Sequence, residues 1–326
     1  MRIAVLGAGA WGSALAISFC ASHEVTLWTR RREACESLAR TRSSPYLPEV
    51  VFPDALLVEP DLATAVSGCD LALVATSTAG LRETAAAIAA VRPRVDLLWA
   101  CKGFETATRL LPHQVLAEVL PQAARVGALS GPSFALEVAR GQPTAVVLAS
   151  HDEAFARDCA AQLNSPRLRI YSSTDLVGVE LGGAVKNVIA IAAGIADGLG
   201  LGRNARAALV TRGLAEIVRL GVATGGQPET FMGLTGLGDL VLTCTGELSR
   251  NRDVGLRLAK GQALADILRE LGHVAEGVQS ATSVRGLARD KVVEMPITEA
   301  VCRVLFEGES PRDAVQRLLA RDPKAE

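Results

Sequence analysis

Six residues near the N-terminus limit the fold more than any other stretch. Gly7-Ala8-Gly9-Ala10-Trp11-Gly12 follows a short apolar, β-branched run, Ile3 to Leu6, and precedes a helical pattern, Ser13 to Ala21. The apolar run reads as a strand buried on both faces, as in a parallel sheet. G-x-G-x-x-G is a weak pattern alone and a specific one between strand and helix. Gly7 makes the tight turn, Gly9 lets a pyrophosphate approach the backbone, and Gly12 lets helix and strand pack closely. The phosphates then lie on free N–H groups at the helix start. The competing reading is a bare strand-to-helix turn.

The second strand, Glu24 to Trp28, bears on which dinucleotide is bound. An acidic residue at its end would accept from a ribose 2′-OH; here the chain reads Thr29-Arg30-Arg31-Arg32. Arginines at this point hold a 2′-phosphate instead. Arg30 and Arg31 therefore predict that NADP(H) is accepted and preferred, with NAD(H) also accepted. The alternative is a basic helix start.

Strand and helix alternate onward. Strands are expected at Ala55 to Glu59, Leu71 to Ala75, Asp96 to Cys101, Arg125 to Leu129, Thr144 to Ala149 and Leu168 to Tyr171. Helices are expected at Leu81 to Ala90, Pro112 to Leu120 and Ala154 to Leu163. Arg40 to Pro60 carries four prolines and reads as an irregular connection, with Tyr46-Leu47-Pro48 able to cover a cofactor. In open α/β sheets ligands bind at the carboxyl ends of strands. Thr76-Ser77-Thr78, Lys102-Gly103 and Ser130-Gly131-Pro132-Ser133 all stand there, and Ser133 suits an N-cap. The alternation stops near Ser172. Later helices are expected at Leu176–Ala196, Ala205–Ala223, Ala263–Leu271, Ala281–Arg289, Thr298–Phe306 and Pro311–Leu319. The expected fold class is α/β: a Rossmann-type, doubly wound, mostly parallel sheet over residues 1–172, then an all-α domain over residues 173–326.

In that second domain Gly182-Gly183-Ala184-Val185-Lys186-Asn187 lies inside a long apolar helix with Asp175 as its expected N-cap. A glycine inside a helix costs roughly 1 kcal/mol relative to alanine. A chain tolerates that where something comes close to the backbone. Gly183, Lys186, Asn187, Ala190, Ala193 and Gly194 share one face. Lys186 then either reaches from a small-residue groove into a site or snorkels from a packed helix. Further on, Gly233 to Thr245 is apolar and glycine-rich, with Asp239 its only charge. A lone carboxylate there is costly unless paired, and Lys186 is the candidate partner. Ser249-Arg250-Asn251-Arg252 stands at a helix start, where N–H groups and arginine make an anion site; a capped helix with solvated arginines is the alternative.

Composition narrows the function classes. Across 326 residues the formal net charge is −1, so nothing favours nucleic acid or an acidic membrane surface. The seven cysteines are odd in number, widely spaced and never C-x-x-C, which argues against a disulfide framework or a metal site and for a reducing cytoplasm. No run of about 18 uninterrupted apolar residues predicts a membrane span, and the N-terminus lacks a signal-peptide pattern. The apolar helical domain is compatible with a homodimer.

Together these stretches resemble the bacterial-type glycerol-3-phosphate dehydrogenase family. The likeness rests on Gly7–Gly12, Trp99–Gly103, Ser130–Ala135, Leu181–Ala193, Asn204–Glu216, Gly233–Thr245, Ser249–Arg252, Val274–Gly277 and Glu294–Thr298, and spans nearly the whole chain. It implies reduction of dihydroxyacetone phosphate to sn-glycerol 3-phosphate with NAD(P)H, supplying phospholipid synthesis. It implies Lys186 as the acid/base, with Lys102, Gly131, Ser133, Asp239, Ser249, Arg250 and Asn251 around a phosphorylated small-molecule substrate and Asn187 beside them. It matches Trp11, Arg30, Lys102, Ala135, Arg250, Val274 and Glu276 to cofactor-contacting positions. Ala10 departs from the Ser or Thr frequent in relatives, which removes a hydroxyl contact and leaves a backbone one. No histidine lies in these motifs, so proton transfer falls to lysine. Desolvation and a second ammonium from Lys102 would depress the pKa of Lys186, and Asp239 would oppose that. The rival readings are a reductase of a small keto acid, of ketopantoate or 3-hydroxyacid type, and a non-catalytic NAD(P)H sensor.

Overall fold

The computed structural model describes residues 1–271 and 275–322. The chain divides into two compact units, Met1–Leu176 and Val177–Glu326. In the N-terminal unit the chain runs β1 (Arg2–Leu6), α1 (Ala10–Phe19), β2 (Glu24–Trp28), α2 (Arg32–Thr41), β3 (Ser43–Ser44), β4 (Leu47–Val51), β5 (Leu57–Glu59), α3 (Leu62–Ser67) and β6 (Leu71–Val74). It continues α4 (Thr78–Val91), β7 (Asp96–Trp99), α5 (Pro112–Val119), β8 (Val126–Ser130), α6 (Ala135–Ala139), β9 (Thr144–Ala149), α7 (Glu153–Leu163) and β10 (Leu168–Ser173).

Eight of these strands form one sheet, ordered β10-β9-β8-β7-β6-β1-β2-β5. Its pairs are parallel except β8 against β9. The chain winds outward from β1 through β2 to β5, then returns to place β6 on the other flank of β1. That reversal is the switch point where such sheets bind ligands, and the glycine loop leaves β1 there. The strands are apolar on both faces: Ile3, Val5, Leu27, Leu71, Leu73, Leu98 and Leu129 belong to one buried cluster, and the alternating Ala4, Leu6, Ala72, Val74, Leu97 and Trp99 are buried too.

Several expectations shift here. The proline-rich connection holds more order than its composition suggested: after α2 it forms an antiparallel β3–β4 pair before β5. Leu47 is buried in a small cluster with Ala14, Val50 and Val138, so it serves the packing of this unit. Ser133 is not an N-cap. α6 begins two residues later with Phe134 at its cap position, because the Ser133 hydroxyl donates to Gly131 O at 3.0 Å instead.

The C-terminal unit has helices and no strand among its described residues. It runs α8 (Leu176–Gly198), α9 (Gly202–Thr224), α10 (Pro228–Met232), a π-helical turn (Leu234–Gly238), α11 (Asp239–Thr245), α12 (Arg250–Ala259), α13 (Leu264–Leu271), α14 (Glu276–Asp290), α15 (Pro296–Phe306) and α16 (Pro311–Leu319). The apolar, glycine-rich stretch Gly233 to Thr245 forms the π-turn and α11.

α8 is the core of this unit. By length and composition it could cross a membrane, with a mean hydropathy of 1.6, yet 94% of its apolar window is buried inside the protein. Glu180 and Lys186 interrupt the apolar run, which is why a search for uninterrupted residues passes it by. Its glycines face neighbouring backbone. A Cβ on Gly182 would stand 2.6 Å from Thr235 O, and one on Gly194 would stand 2.0 Å from Arg252 O. Close helix packing within the unit, rather than ligand approach, therefore accounts for these two positions.

Candidate active site

The N-terminal unit assembles a dinucleotide cradle from its first turn. Gly7 has φ +126°, and a Cβ there would press on the Ala75 carbonyl at 2.7 Å. A Cβ on Gly12 would lie 1.9 Å from Gly7 O, so only glycine lets α1 start this close to β1. At Gly9 a Cβ would meet nothing within 4 Å. Gly9 is the N-cap of α1 and offers no side-chain cap, so the first N–H groups of α1, from Ala10 onward, lack helical partners. Buried polar atoms without a hydrogen-bond partner include Trp11 Nε1, Ser13 Oγ, Thr76 Oγ1 and Ser130 Oγ. Each lies in α1 or at the carboxyl end of β6 or β8, and a buried polar atom without a partner costs about 1–3 kcal/mol. These features fit a pyrophosphate-bearing cofactor at the carboxyl edge of the sheet.

Ala10, Trp11 and Ala135 pack around one small apolar cluster, since α1 and α6 lie side by side. Lys102, Gly131 and Ser133 are also brought together. Gly131 O accepts from Lys102 Nζ at 3.1 Å and from the Ser133 hydroxyl at 3.0 Å, while Thr78 Oγ1 donates to Lys102 O at 3.1 Å. Gly131 itself has φ +140°, and a Cβ there would stand 2.9 Å from Val146 Cα. Arg30 and Arg31 stand apart from this group, exposed beyond the end of β2. Arg30 Nη1 is paired with Glu83 Oε2 of α4 at 2.8 Å, and Arg31 supplies the backbone N-cap position of α2.

In the C-terminal unit Lys186 is buried at 6% exposure. Its Nζ donates to Asp239 Oδ1 at 2.5 Å and to Thr243 Oγ1 at 2.9 Å. The Thr243 hydroxyl donates in turn to Asp239 O at 2.6 Å. The predicted Lys186–Asp239 pair is present, and a buried ammonium needs such a counter-charge. The π-turn delivers Asp239 to this place: Gly236 packs so tightly that a Cβ would stand 2.0 Å from Phe231 O. π-Turns recur at functional sites. Thr243 is the residue that reading the sequence missed. Its signal is the spacing from Asp239 to Thr243, one helical turn, which carries meaning only once α11 is known to begin at Asp239.

A second cluster lies beside the first. Asn187 follows Lys186 and donates from Nδ2 to Glu276 Oε2 at 3.4 Å. Gly277 N donates to Asn251 Oδ1 at 2.9 Å. That bond turns the amide of Asn251 so that Nδ2 is left to donate elsewhere. Ser249 caps α12 by accepting from Arg252 N at 3.2 Å, and Arg250, the first residue of that helix, is exposed. Asn187, Ser249, Arg250, Asn251 and Glu276 thus gather around the starts of α12 and α14. Val274 lies outside the described residues.

Comparison with known proteins adds the family. The model of the NAD-dependent glycerol-3-phosphate dehydrogenase N-terminus matches residues 2–156, and that of the C-terminus matches residues 175–316. A glycerol-3-phosphate dehydrogenase (NAD(P)+) of Aromatoleum aromaticum is 57% identical over the full length of both chains. One of Nitrosospira multiformis is also 57% identical, over 100% of this chain and 99% of the relative. The crystal structure of a glycerol-3-phosphate dehydrogenase from Coxiella burnetii is 41% identical and superposes with a TM-score of 0.94, covering 98% of this chain and 99% of that one.

Proposed function

The chain belongs to the NAD-dependent glycerol-3-phosphate dehydrogenase family, and from that premise we propose its reaction and the parts its residues play. It is an oxidoreductase that reduces dihydroxyacetone phosphate to sn-glycerol 3-phosphate, reversibly, with NAD(P)H. Residues 1–172 bind the dinucleotide, and residues 173–326 bind substrate and carry the acid/base. Gly7, Gly9, Gly12 and the N–H groups of Ala10 and Trp11 hold the pyrophosphate. Arg30 and Arg31 hold a 2′-phosphate, and Glu83 opposes them as a like charge facing the same anion. Ala135, Val274 and Glu276 complete the cofactor contacts.

A bound nicotinamide supplies the hydride that reduces the carbonyl carbon. Lys186 Nζ gives the proton that the developing alkoxide takes up, and accepts it in the reverse direction. Asp239 keeps a counter-charge against this buried ammonium, and Thr243 Oγ1 fixes the direction in which Nζ points. Lys102 donates toward the substrate from the loop after β7, beside Gly131 and Ser133 of the loop after β8. Ser249, Arg250 and Asn251 hold the substrate phosphate at the start of α12, with Asn187 alongside. That remote binding energy positions the carbonyl. We place the enzyme in the cytoplasm, serving glycerophospholipid synthesis.

The observation that carries this reading is the buried Lys186–Asp239–Thr243 arrangement on a chain that matches the family from end to end. The deciding experiment follows oxidation of NADPH with dihydroxyacetone phosphate and, in parallel, with ketopantoate. Turnover of the first alone is expected. Turnover of ketopantoate alone would make the protein a keto-acid reductase, and turnover of neither would make it a cofactor-binding sensor.

A further inference from the structure

Arg250, Asn251 and Arg252 leave the first turn of α12 in three directions, because successive helix residues are rotated by roughly 100°. Arg250 is exposed, Asn251 is held by Gly277 N of α14, and Arg252 turns back to α8. There Asp197 Oδ2 accepts from Arg252 Nε at 2.9 Å and pairs with Nη2 at 2.8 Å. The same carboxylate receives Arg206 Nη1 of α9 at 3.1 Å and 3.2 Å. The Asp197 and Arg252 side chains are 13% and 15% exposed, so solvent screens the pair little.

The helices it joins are in backbone contact. A Cβ on Gly194 would stand 2.0 Å from Arg252 O, one on Gly255 would stand 2.1 Å from Ile191 O, and one on Gly198 would stand 2.6 Å from Ala259 Cβ. Gly255 sets how close α12 lies to α8 and which of its faces meets that helix. Two side-chain anchors in its first turn, Arg252 on Asp197 and Asn251 on Gly277, hold the start of the helix itself. That start decides where Arg250 and its free N–H groups aim.

We infer that Asp197 is a positioning residue for substrate binding: through Arg252 it orients the start of α12, so that Arg250 and Asn251 meet the phosphate. This rests on the reading that the start of α12 holds that phosphate. Its carboxylate also carries two guanidinium groups, which leaves this end of the helix with a net positive charge suited to an anion.

The test is steady-state kinetics on the full-length enzyme with Asp197→Asn, Arg250→Ala and both together. For Asp197→Asn we expect KM for dihydroxyacetone phosphate and Ki for inorganic phosphate to rise about tenfold while kcat stays within about threefold, the pattern of lost uniform binding. If Asp197 acts through Arg250, it adds less than about threefold to KM once Arg250 is gone. Arg252→Lys keeps the charge but loses the two-pronged contact and gives the same split, which covers the case in which Asp197→Asn fails to fold. Full additivity with Arg250→Ala, or equal losses in KM and kcat, would overturn the inference. An unchanged KM in Arg250→Ala alone would instead overturn the phosphate reading, and the inference with it.

Discussion

The buried Lys186 side chain donates from Nζ to a carboxylate and a hydroxyl of α11. A side chain placed so is replaceable in neither charge nor direction. Lys186→Ala is expected to lower kcat about 10²–10⁴-fold, the usual range for a general acid/base. Titration of NADPH fluorescence should show cofactor binding unchanged; retained turnover would take Lys186 out of the mechanism. Glu83 belongs to the same scale. It holds Arg30 across an exposed ion pair, and such pairs contribute about 0–1 kcal/mol. Glu83→Gln should therefore raise the kcat/KM ratio of NADPH over NADH by up to about fivefold, since about 1.4 kcal/mol is tenfold. A ratio that stays or falls would mean that Arg30 does not meet a 2′-phosphate. Residue identities carried much of this. Lysine among small residues and a lone aspartate among apolar ones were legible as a pair, because an unpaired charge in either setting is too costly. Thr243 and Asp197 were not legible, because a threonine and an aspartate in ordinary helices gain meaning only from what folds against them.

At the scale of elements, helix ends and crossings show where local chemistry and packing part ways. Just past the end of α14 stands a left-handed residue, Val292, with φ 54° and 92% exposure. The turn is closed by Val293 N donating to Ala288 O at 2.8 Å and Val292 N donating to Arg289 O at 3.1 Å. That geometry favours glycine, and a β-branched residue in it pays roughly 1–2 kcal/mol. Val292→Gly removes no buried contact and should stabilise the protein by about 1 kcal/mol, net of the entropy glycine loses on folding. The check is the denaturant midpoint, and a lower midpoint would sink the idea. Most strands and long helices were readable within a few residues, since period and flanking turns suffice where a segment is buried on a regular pattern. The β3–β4 pair was not, because its strands are short and its prolines argue locally for a loop. The π-turn before Asp239 was not either, because glycines that fit a tight helical crossing look the same in sequence as glycines of a loop.

Across the whole molecule, pH adds a further handle. Glu216 of α9 is 1% exposed and accepts from Ile297 N at 2.6 Å, Thr298 N at 3.1 Å and Thr298 Oγ1 at 3.0 Å, closing the start of α15. Burial pushes its pKa up from 4.5 to about 7, against the pull of those hydrogen bonds. The folded chain thus holds this proton more tightly than the unfolded one. The contribution of Glu216 to stability is whole below a pH of about 4.5 and declines as pH rises toward about 7. Glu216→Gln cannot titrate, so the stability of the native protein relative to this variant should fall between about pH 5 and pH 7. Chemical denaturation at both values measures it; a constant difference would refute it. The sequence by itself determined the dinucleotide turn, the alternating sheet, the change to helices near residue 172 and the pairing of Lys186 with Asp239. Each of these follows from periodicity or from the cost of a bare charge, and both act locally. Only the tertiary structure decided that Gly182 and Gly194 serve helix crossings, that Thr243 steers Lys186 and that Asp197 grips the start of α12. Those depend on which backbones approach within a few ångströms, and distance between remote segments is not written in any one of them.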